Sequence, residues 1–138
     1  MNKEFTLKEA IDSVEEFHNS FGIKNNFKPV AKIETDQIEL RHRLMMEENN
    51  EYLEAARNND LAEVADALGD QLYILCGTIL KHGMQDVIAE VFREIHRSNM
   101  SKLDENGQPI YREDGKVLKG KNYFRPNVKA ILEESDGF

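Results

Sequence analysis

The feature that most constrains the fold is a three-residue break, Asn58-Asn59-Asp60, between two long helical patterns. The pattern before the break predicts a helix from about Thr35 to Arg57, and the pattern after it predicts a helix from about Asp60 to Lys81. A connection this short forces the second helix to run antiparallel to the first. The chain is therefore expected to contain a long helical hairpin.

Further helices are predicted on both sides of this hairpin. Thr6-x-x-Glu9 is a capping box that opens an N-terminal helix, and Gly22 is suited to end it. A fourth helix is predicted from about Gln85 to Asn99, and two short extended runs around Asp114-Gly115 predict a β-hairpin. The predicted fold is all-α, an antiparallel bundle of four or more helices with a short C-terminal β-hairpin. We expect a single domain, with the bundle at about 5–100 and the hairpin and tail at about 101–138.

Composition and charge exclude several classes of function. The chain is 40% hydrophobic and 32% charged, which is typical of a soluble globular protein, and its net charge of −8 argues against a nucleic-acid polymer as partner. No apolar run reaches the ~18 residues of a membrane span, and the N-terminus does not resemble a signal peptide. The single cysteine, Cys76, cannot form an internal disulfide. We expect a cytoplasmic protein that does not bind membranes.

Acidic side chains occupy positions of the helical hairpin that can face one another: Glu47, Glu48, Glu51, Glu63, Asp66 and Asp70. No Lys or Arg lies between Arg43 and Arg57, or between Asp60 and Lys81. Two carboxylates ~5 Å apart repel by roughly 3 kcal/mol at an effective dielectric constant of about 20. The cluster therefore needs compensating positive charge from outside these helices.

A hard divalent cation supplies that charge best. A ligand set made only of oxygen atoms favours Mg²⁺, or Mn²⁺, over zinc. A rise of ~1.5 Å per residue from the turn places Glu51 level with Asp66, and Glu47 and Glu48 level with Asp70. Because Mg²⁺ completes its coordination with water and phosphate oxygens, we expect a phosphorylated substrate.

Single residues of the cluster also have simpler interpretations. Glu63 follows Asp60 by three residues and could belong to a capping box, and Glu51 could be a solvated surface residue. A di-iron bundle is a further alternative, but it requires two Glu-x-x-His motifs, and only Glu39-x-x-His42 fits.

The segments "EENNEYLEA" and "EVADALGDQLYIL" resemble the all-α nucleoside triphosphate pyrophosphohydrolases, the superfamily of MazG-like enzymes, dimeric dUTPases and phosphoribosyl-ATP pyrophosphohydrolases. Glu48-x-x-Glu51 matches the Glu-x-x-Glu half of the family motif, and Glu63-x-x-Asp66 matches the spacing of its Glu-x-x-Asp half. The family's aspartate usually precedes a Leu-Leu-Tyr-like run, and here Asp70 does so. The second pair is therefore either Glu63 and Asp66 or Asp66 and Asp70. The resemblance implies Mg²⁺ ligands among Glu48, Glu51, Glu63, Asp66 and Asp70.

The C-terminal segment resembles the ending of one MazG-like branch, and the resemblance covers roughly residues 5–132. It implies contacts to the triphosphate from Asn99, Lys102, Lys119, Lys121 and Tyr123. Lysine and asparagine suit this role as phosphate donors, although a lysine-rich hairpin can also be a solvated edge.

The resemblance implies a Mg²⁺-dependent nucleoside triphosphate pyrophosphohydrolase that cleaves between the α and β phosphates and releases pyrophosphate. Glu47 or Glu48 would accept a proton from the attacking water, and Phe17, His18 and Phe21 could border the base. The substrate could be dUTP or a non-standard nucleotide removed in a housecleaning role. The alternatives are phosphoribosyl-ATP hydrolysis in histidine biosynthesis and a non-catalytic acidic module that binds a basic partner.

Self-association is predicted from the third helix, which is apolar on nearly all sides between Leu72 and Leu80. Three other short helices cannot cover all of this surface. We therefore expect a homodimer or a dimer of dimers.

Overall fold

The computed structural model describes residues 4–135 and places five helices in them. These are α1 (Leu7–Ser20), α2 (Thr35–Arg57), α3 (Leu61–Lys81), α4 (Ile88–Met100) and α5 (Val128–Glu134). The chain divides after Asp86 into two compact units, the first containing α1 to α3 and the second α4 and α5. The prediction of an all-α fold is confirmed. None of the helices within residues 4–135 combines the length and the apolar character of a membrane span.

The first unit is built on the predicted helical hairpin of α2 and α3. Asn59 makes the turn with φ of 56°, a left-handed conformation that asparagine adopts more readily than most residues. Asp60 caps α3 by accepting a hydrogen bond from the Glu63 amide at 3.1 Å. These local features end one helix and start the next within three residues, so α2 and α3 pack side by side over most of their length.

Helix α1 packs against α3, and its N-terminus is capped as predicted, with Thr6 Oγ1 accepting from the Glu9 amide at 3.1 Å. Ile11 and Val14 of α1 are buried, as are several residues of α3: Ala67, Cys76, Ile79 and Leu80. The opposite side of α3 is not covered within one chain, since Leu72 and Leu75 remain 48% and 47% exposed. The predicted burial of α3 on all sides is therefore not reached by a single chain.

The second unit joins α4 to α5 through polar contacts, and α5 was not predicted. Ser98 Oγ donates to the Phe124 carbonyl at 2.8 Å, and Glu94 Oε2 accepts from the Asn127 amide at 2.8 Å. Asn127 caps α5 by accepting from the Ala130 amide at 3.2 Å. An asparagine cap following Pro126 was the sequence signal for this helix.

The predicted C-terminal β-hairpin is wrong. Within residues 4–135 no strand forms, and the only antiparallel pairing is an isolated bridge between Tyr111 and Val117. Gly115 makes the expected turn with φ of 88°, and Asp114 Oδ1 accepts from the Lys116 amide at 3.1 Å. Tyr111 and Val117 are exposed. Two short extended runs without a sheet or core to pack on cannot sustain a longer ladder.

Candidate metal centre

Helices α2 and α3 bring three of the predicted metal ligands together: Glu48, Glu51 and Asp70. One carboxylate oxygen from each lies within 4.8 Å of the others. Glu48 and Glu51 are one turn apart on α2, and the antiparallel turn brings Asp70 of α3 opposite them, as counting along the helices predicts. Glu48 and Asp70 are half-buried, and Glu51 is exposed.

The electrostatics of these carboxylates are unfavourable without a cation. Burial, a hydrogen bond with Glu51 and the charge of Asp70 raise the pKa of Glu48 to about 7. Burial and then the charges of Asp66 and Glu51 also raise the pKa of Asp70. No Lys or Arg among residues 4–135 forms an ion pair with any of these side chains. The repulsion between them is therefore not relieved by the protein itself.

One atom, Glu48 Oε2, indicates how the negative charge of the three carboxylates is compensated. Glu48 Oε2 is buried and has no hydrogen-bond partner among the described residues. A hydrogen bond between Glu48 and Glu51 forms only when one of them is protonated, because ionised carboxylates only accept. With both ionised, a cation would satisfy the buried oxygen. The donor set consists only of oxygen atoms, so the residues fit a hard divalent ion such as Mg²⁺.

The other three acidic residues that the sequence predicts for this site lie outside the three-carboxylate group. Asp66 is close enough for its charge to raise the pKa of both Glu48 and Asp70. Glu63 is not in the three-carboxylate group, and it lines a separate cavity of about 280 Å³ with Glu51 and Asp66. Glu47 is exposed and also lies outside the group. Of the two candidate second pairs, only Asp66 and Asp70 contains a member of the three-carboxylate group, and which pair binds a metal stays a prediction.

The first unit also contains a larger cleft, which none of the three clustered carboxylates lines. Its volume is about 710 Å³, and it lies among α1, α2 and α3. Leu44 and Tyr73 line it, and they stand about one helical turn from Glu48 and Asp70. Phe17 meets Tyr73 edge to face with ring centroids 5.7 Å apart. The part of the cleft that Phe17 and Tyr73 line is suited to bind a nucleobase.

The residues predicted to contact the triphosphate lie in the second unit. Lys119 Nζ lies 5.0 Å from the ring centroid of Tyr123, and Lys121 pairs with Glu105 at 3.2 Å. The Gly120 amide donates to the Lys102 carbonyl at 2.9 Å, which brings this loop next to the end of α4, where Asn99 lies. Their contact with a substrate stays a prediction.

Sequence reasoning missed a polar network at the other end of the cleft. Arg41 is buried, and its Nε donates to Thr78 Oγ1 at 3.1 Å while its Nη2 donates to the Ile74 carbonyl at 3.0 Å. Lys81 is also buried and lines the same cleft. The available signal was the position of Arg41, seven residues before Glu48 and so on the same face of α2.

Two comparisons with known proteins cover this part of the chain. A family profile described as phosphoribosyl-ATP pyrophosphohydrolase matches residues 14–99, which contain all six clustered carboxylates and Arg41. An uncharacterized protein of Acanthamoeba polyphaga mimivirus is 31% identical over 127 residues, covering 90% of this chain and 47% of the relative. The chain thus spans about half the length of the curated relative that it matches.

Proposed function

Because the chain belongs to the phosphoribosyl-ATP pyrophosphohydrolase family, we propose that it is a Mg²⁺-dependent pyrophosphohydrolase of nucleotides. This membership confirms the predicted MazG-like superfamily and the predicted enzyme class, hydrolases that act on phosphoric anhydrides. It leaves the non-catalytic acidic module without support. The proposed reaction cleaves between the α and β phosphates of a nucleoside triphosphate and yields a monophosphate and pyrophosphate.

The observation that carries this proposal is the buried Glu48 Oε2, which lies in a group of three carboxylates and has no hydrogen-bond partner within residues 4–135. Glu48, Glu51 and Asp70 would hold the ion, with Asp66 and Glu63 as further ligands. When bound, Mg²⁺ supplies charge neutralisation at the phosphate oxygens and lowers the pKa of a coordinated water. The all-carboxylate donor set supports Mg²⁺, with Mn²⁺ as the other hard ion that suits it.

Side chains of the protein itself would accept the proton and bind the substrate. Glu47 and Glu48 are the candidates to accept the proton of the attacking water, and Glu48 lies within the three-carboxylate group. The aromatic part of the cleft would hold the nucleoside and so orient the phosphates. Asn99, Lys102, Lys119, Lys121 and Tyr123 would bind the phosphate chain.

A homodimer, or a dimer of dimers, is part of this proposal. Leu68, Leu72 and Leu75 on α3 stay exposed in a single chain. Burying apolar surface contributes about 25 cal/mol per Å², so pairing these faces is favourable. We further propose that the enzyme acts in the cytoplasm, where its buried thiol, Cys76, would remain reduced.

Phosphoribosyl-ATP is the second candidate substrate, and the description of the matching family favours it. Both candidate reactions release pyrophosphate, so product detection alone does not separate them. Relative kcat/KM values for phosphoribosyl-ATP, dUTP, dCTP and ATP would identify the preferred substrate.

The test of the proposed function is a panel of nucleotides incubated with the purified protein while pyrophosphate is measured. We expect pyrophosphate release with Mg²⁺ and none with EDTA. Glu48→Gln should abolish this release, and Glu39→Gln, an equal change at an exposed position of α2 outside the three-carboxylate group, is its matched control. Undiminished activity in EDTA, or no activity toward any nucleotide with Mg²⁺, would refute the proposal.

A further inference from the structure

The cleft among α1, α2 and α3 contains a buried histidine whose hydrogen-bonding role is fixed by a neighbouring residue. His18 lines the cleft and is only 2% exposed. Its Nδ1 lies 2.5 Å from Asn25 Oδ1, and because this oxygen can only accept, the ring carries its hydrogen on Nδ1. In the neutral ring Nε2 is therefore an acceptor, and it has no hydrogen-bond partner within residues 4–135.

Arg41 brings hydrogen-bond donors to the same place. A Cβ atom at Gly77 would lie 3.0 Å from His18 Nε2 and 2.6 Å from Arg41 Nη2, so the two side chains meet where α3 lacks a side chain. The guanidinium donates from Nε to Thr78 Oγ1 and from Nη2 to the Ile74 carbonyl. Its Nη1 has no partner in the described part of the chain. Arg41 is therefore held beside His18 with N–H groups free for a ligand.

Lys81 is a second donor in the cleft. It is 4% exposed, and it lies one turn after Gly77 on α3. Its Nζ donates to the Lys24 carbonyl at 2.7 Å, which uses one of its three N–H groups. Its charge and that of Arg41 both act on His18, so the three side chains are neighbours. The cleft therefore offers one acceptor together with two groups that have free donors.

The charges that line the cleft are close to balance. Burial lowers the pKa of His18, so its ring adds no positive charge at neutral pH. Three cationic and two acidic side chains line the cleft: Lys24, Arg41, Lys81, Glu34 and Asp36. A cleft of this kind favours a neutral ligand whose polar atoms pair with His18, Arg41 and Lys81, because leaving buried polar groups unpaired is unfavourable.

The nucleobases differ in the order of donors and acceptors along the edge that a protein can read. Uracil and thymine present one N–H group between two carbonyl oxygens, an imide edge. Cytosine and adenine present an amino group beside a ring nitrogen that only accepts, and guanine presents one carbonyl beside two N–H donors. Phe17 and Tyr73, whose ring centroids are 5.7 Å apart, supply aromatic surface for a base. One acceptor and two donors match the imide edge in number and kind.

We propose that His18 and Arg41 select the base of the substrate by reading an imide edge. His18 Nε2 accepts from the N–H group of the base, and Arg41 and Lys81 donate to its two carbonyl oxygens. Asn25 is a positioning residue, because it keeps the hydrogen of His18 on Nδ1. This inference rests on the proposed function and deepens it by naming a substrate class, the nucleotides of uracil and thymine.

Binding of nucleoside monophosphates in EDTA tests the base site without requiring metal or catalysis. Calorimetry on the wild type should show deoxyuridine monophosphate binding at least tenfold more tightly than deoxycytidine monophosphate. The N3-methyl derivative of deoxyuridine monophosphate lacks the N–H group and should also bind at least tenfold more weakly. Equal affinities for the three ligands would overturn the proposal. This comparison does not depend on the folding of any variant.

Matched substitutions test whether the named side chains read the base. His18→Phe and Arg41→Met should each reduce the preference for uracil over cytosine at least fivefold. His96→Phe and Arg43→Met make the same changes at exposed positions outside the cleft and should leave the preference unchanged. Equal effects within the two matched pairs would overturn the proposal. If Arg41→Met does not fold, as judged by its melting curve in EDTA, Arg41→Lys replaces it.

The pH dependence of the preference tests the role of Asn25. Protonation of His18 converts Nε2 into a donor, so the ratio of affinities for the uracil and cytosine monophosphates should fall as the pH falls through the pKa of His18. Asn25→Asp keeps the acceptor and adds a charge that favours the protonated ring, so this fall should begin at least one pH unit higher. The ratio removes the ionisation of the phosphate, which both ligands share. Identical pH profiles for the wild type and Asn25→Asp would overturn the proposal.

Kinetics separate this inference from the proposed function. We expect kcat/KM for dUTP to exceed that for dCTP at least tenfold with Mg²⁺. If deoxyuridine monophosphate binds with the expected preference but no nucleotide is hydrolysed, the proposed function fails while the base site is retained. Hydrolysis of dUTP and dCTP with equal kcat/KM would leave the proposed function intact and overturn this inference.

Discussion

Glu48→Gln tests whether the carboxylate group is retained for a metal at the expense of stability. The substitution keeps the shape of the side chain and removes one charge, and its amide can donate to the neighbouring carboxylates. A rise of the Glu48 pKa from 4.5 to about 7 corresponds to at most about 3.4 kcal/mol at high pH. Glu48 is partly exposed, so solvent screening reduces the expected effect to about 1–2 kcal/mol.

The sign of the effect with pH follows from proton binding. Between pH 4.5 and about 7, the folded chain holds a proton on Glu48 that the unfolded chain releases. This stabilisation is complete below the unfolded pKa and is lost as the pH rises through the folded pKa. The metal-free wild type should therefore become less stable from pH 5 to pH 8, and Glu48→Gln should lessen that dependence.

Urea denaturation in EDTA at pH 5 and pH 8 measures both predictions. We expect Glu48→Gln to be more stable than the wild type at pH 8 by about 1–2 kcal/mol, and to lose activity. Added Mg²⁺ should stabilise the wild type by mass action and the variant much less. A variant that is clearly less stable than the wild type at pH 8 in EDTA would show that Glu48 has a structural role, and the reasoning would be refuted.

Three further predictions follow from particular side chains. Glu51→Gln should abolish activity while the metal-free protein melts at the same or a higher temperature; a marked drop in that melting temperature would indicate a structural role. Leu72→Glu should convert an assembly of at least twice 15.9 kDa into a 15.9 kDa monomer by light scattering; a monomeric wild type at micromolar concentration would contradict this. Gly77→Ala should destabilise the protein by about 1–3 kcal/mol in urea, because its Cβ would overlap Arg41 Nη2. Gly69→Ala, whose Cβ would meet nothing within 4 Å, is the matched control and should not destabilise it.

The helical hairpin and its carboxylates could be predicted because local rules determine them. The break at Asn58-Asn59-Asp60 sets the antiparallel direction of α2 and α3, and helical spacing then places Glu48 level with Asp70. The choice between the two alternatives for the second pair depends on how α2 and α3 rotate about their axes. Packing across the whole interface between α2 and α3 sets that rotation. Residue spacing along the sequence does not predict it.

The missing β-ladder and the burial of Arg41 depend on contacts between residues distant in the sequence, whereas α5 has a local signal in the asparagine that caps it. The segment around Asp114-Gly115 has the turn chemistry of a hairpin, but no sheet or core covers its two arms. Helix α5 is short and begins after Asn127, whose backbone amide donates a hydrogen bond to Glu94 Oε2. The burial of Arg41 was not predicted, because it depends on Gly77, whose missing side chain leaves room for the guanidinium against α3.

The most direct test of the central claim is ³¹P nuclear magnetic resonance of the products formed from a nucleoside triphosphate or phosphoribosyl-ATP. The account predicts a monophosphate and pyrophosphate in equal amounts with Mg²⁺, and intact substrate in EDTA and with Glu48→Gln. Release of orthophosphate and a diphosphate would contradict cleavage between the α and β phosphates. Full turnover by Glu48→Gln would show that this carboxylate group is not the active site.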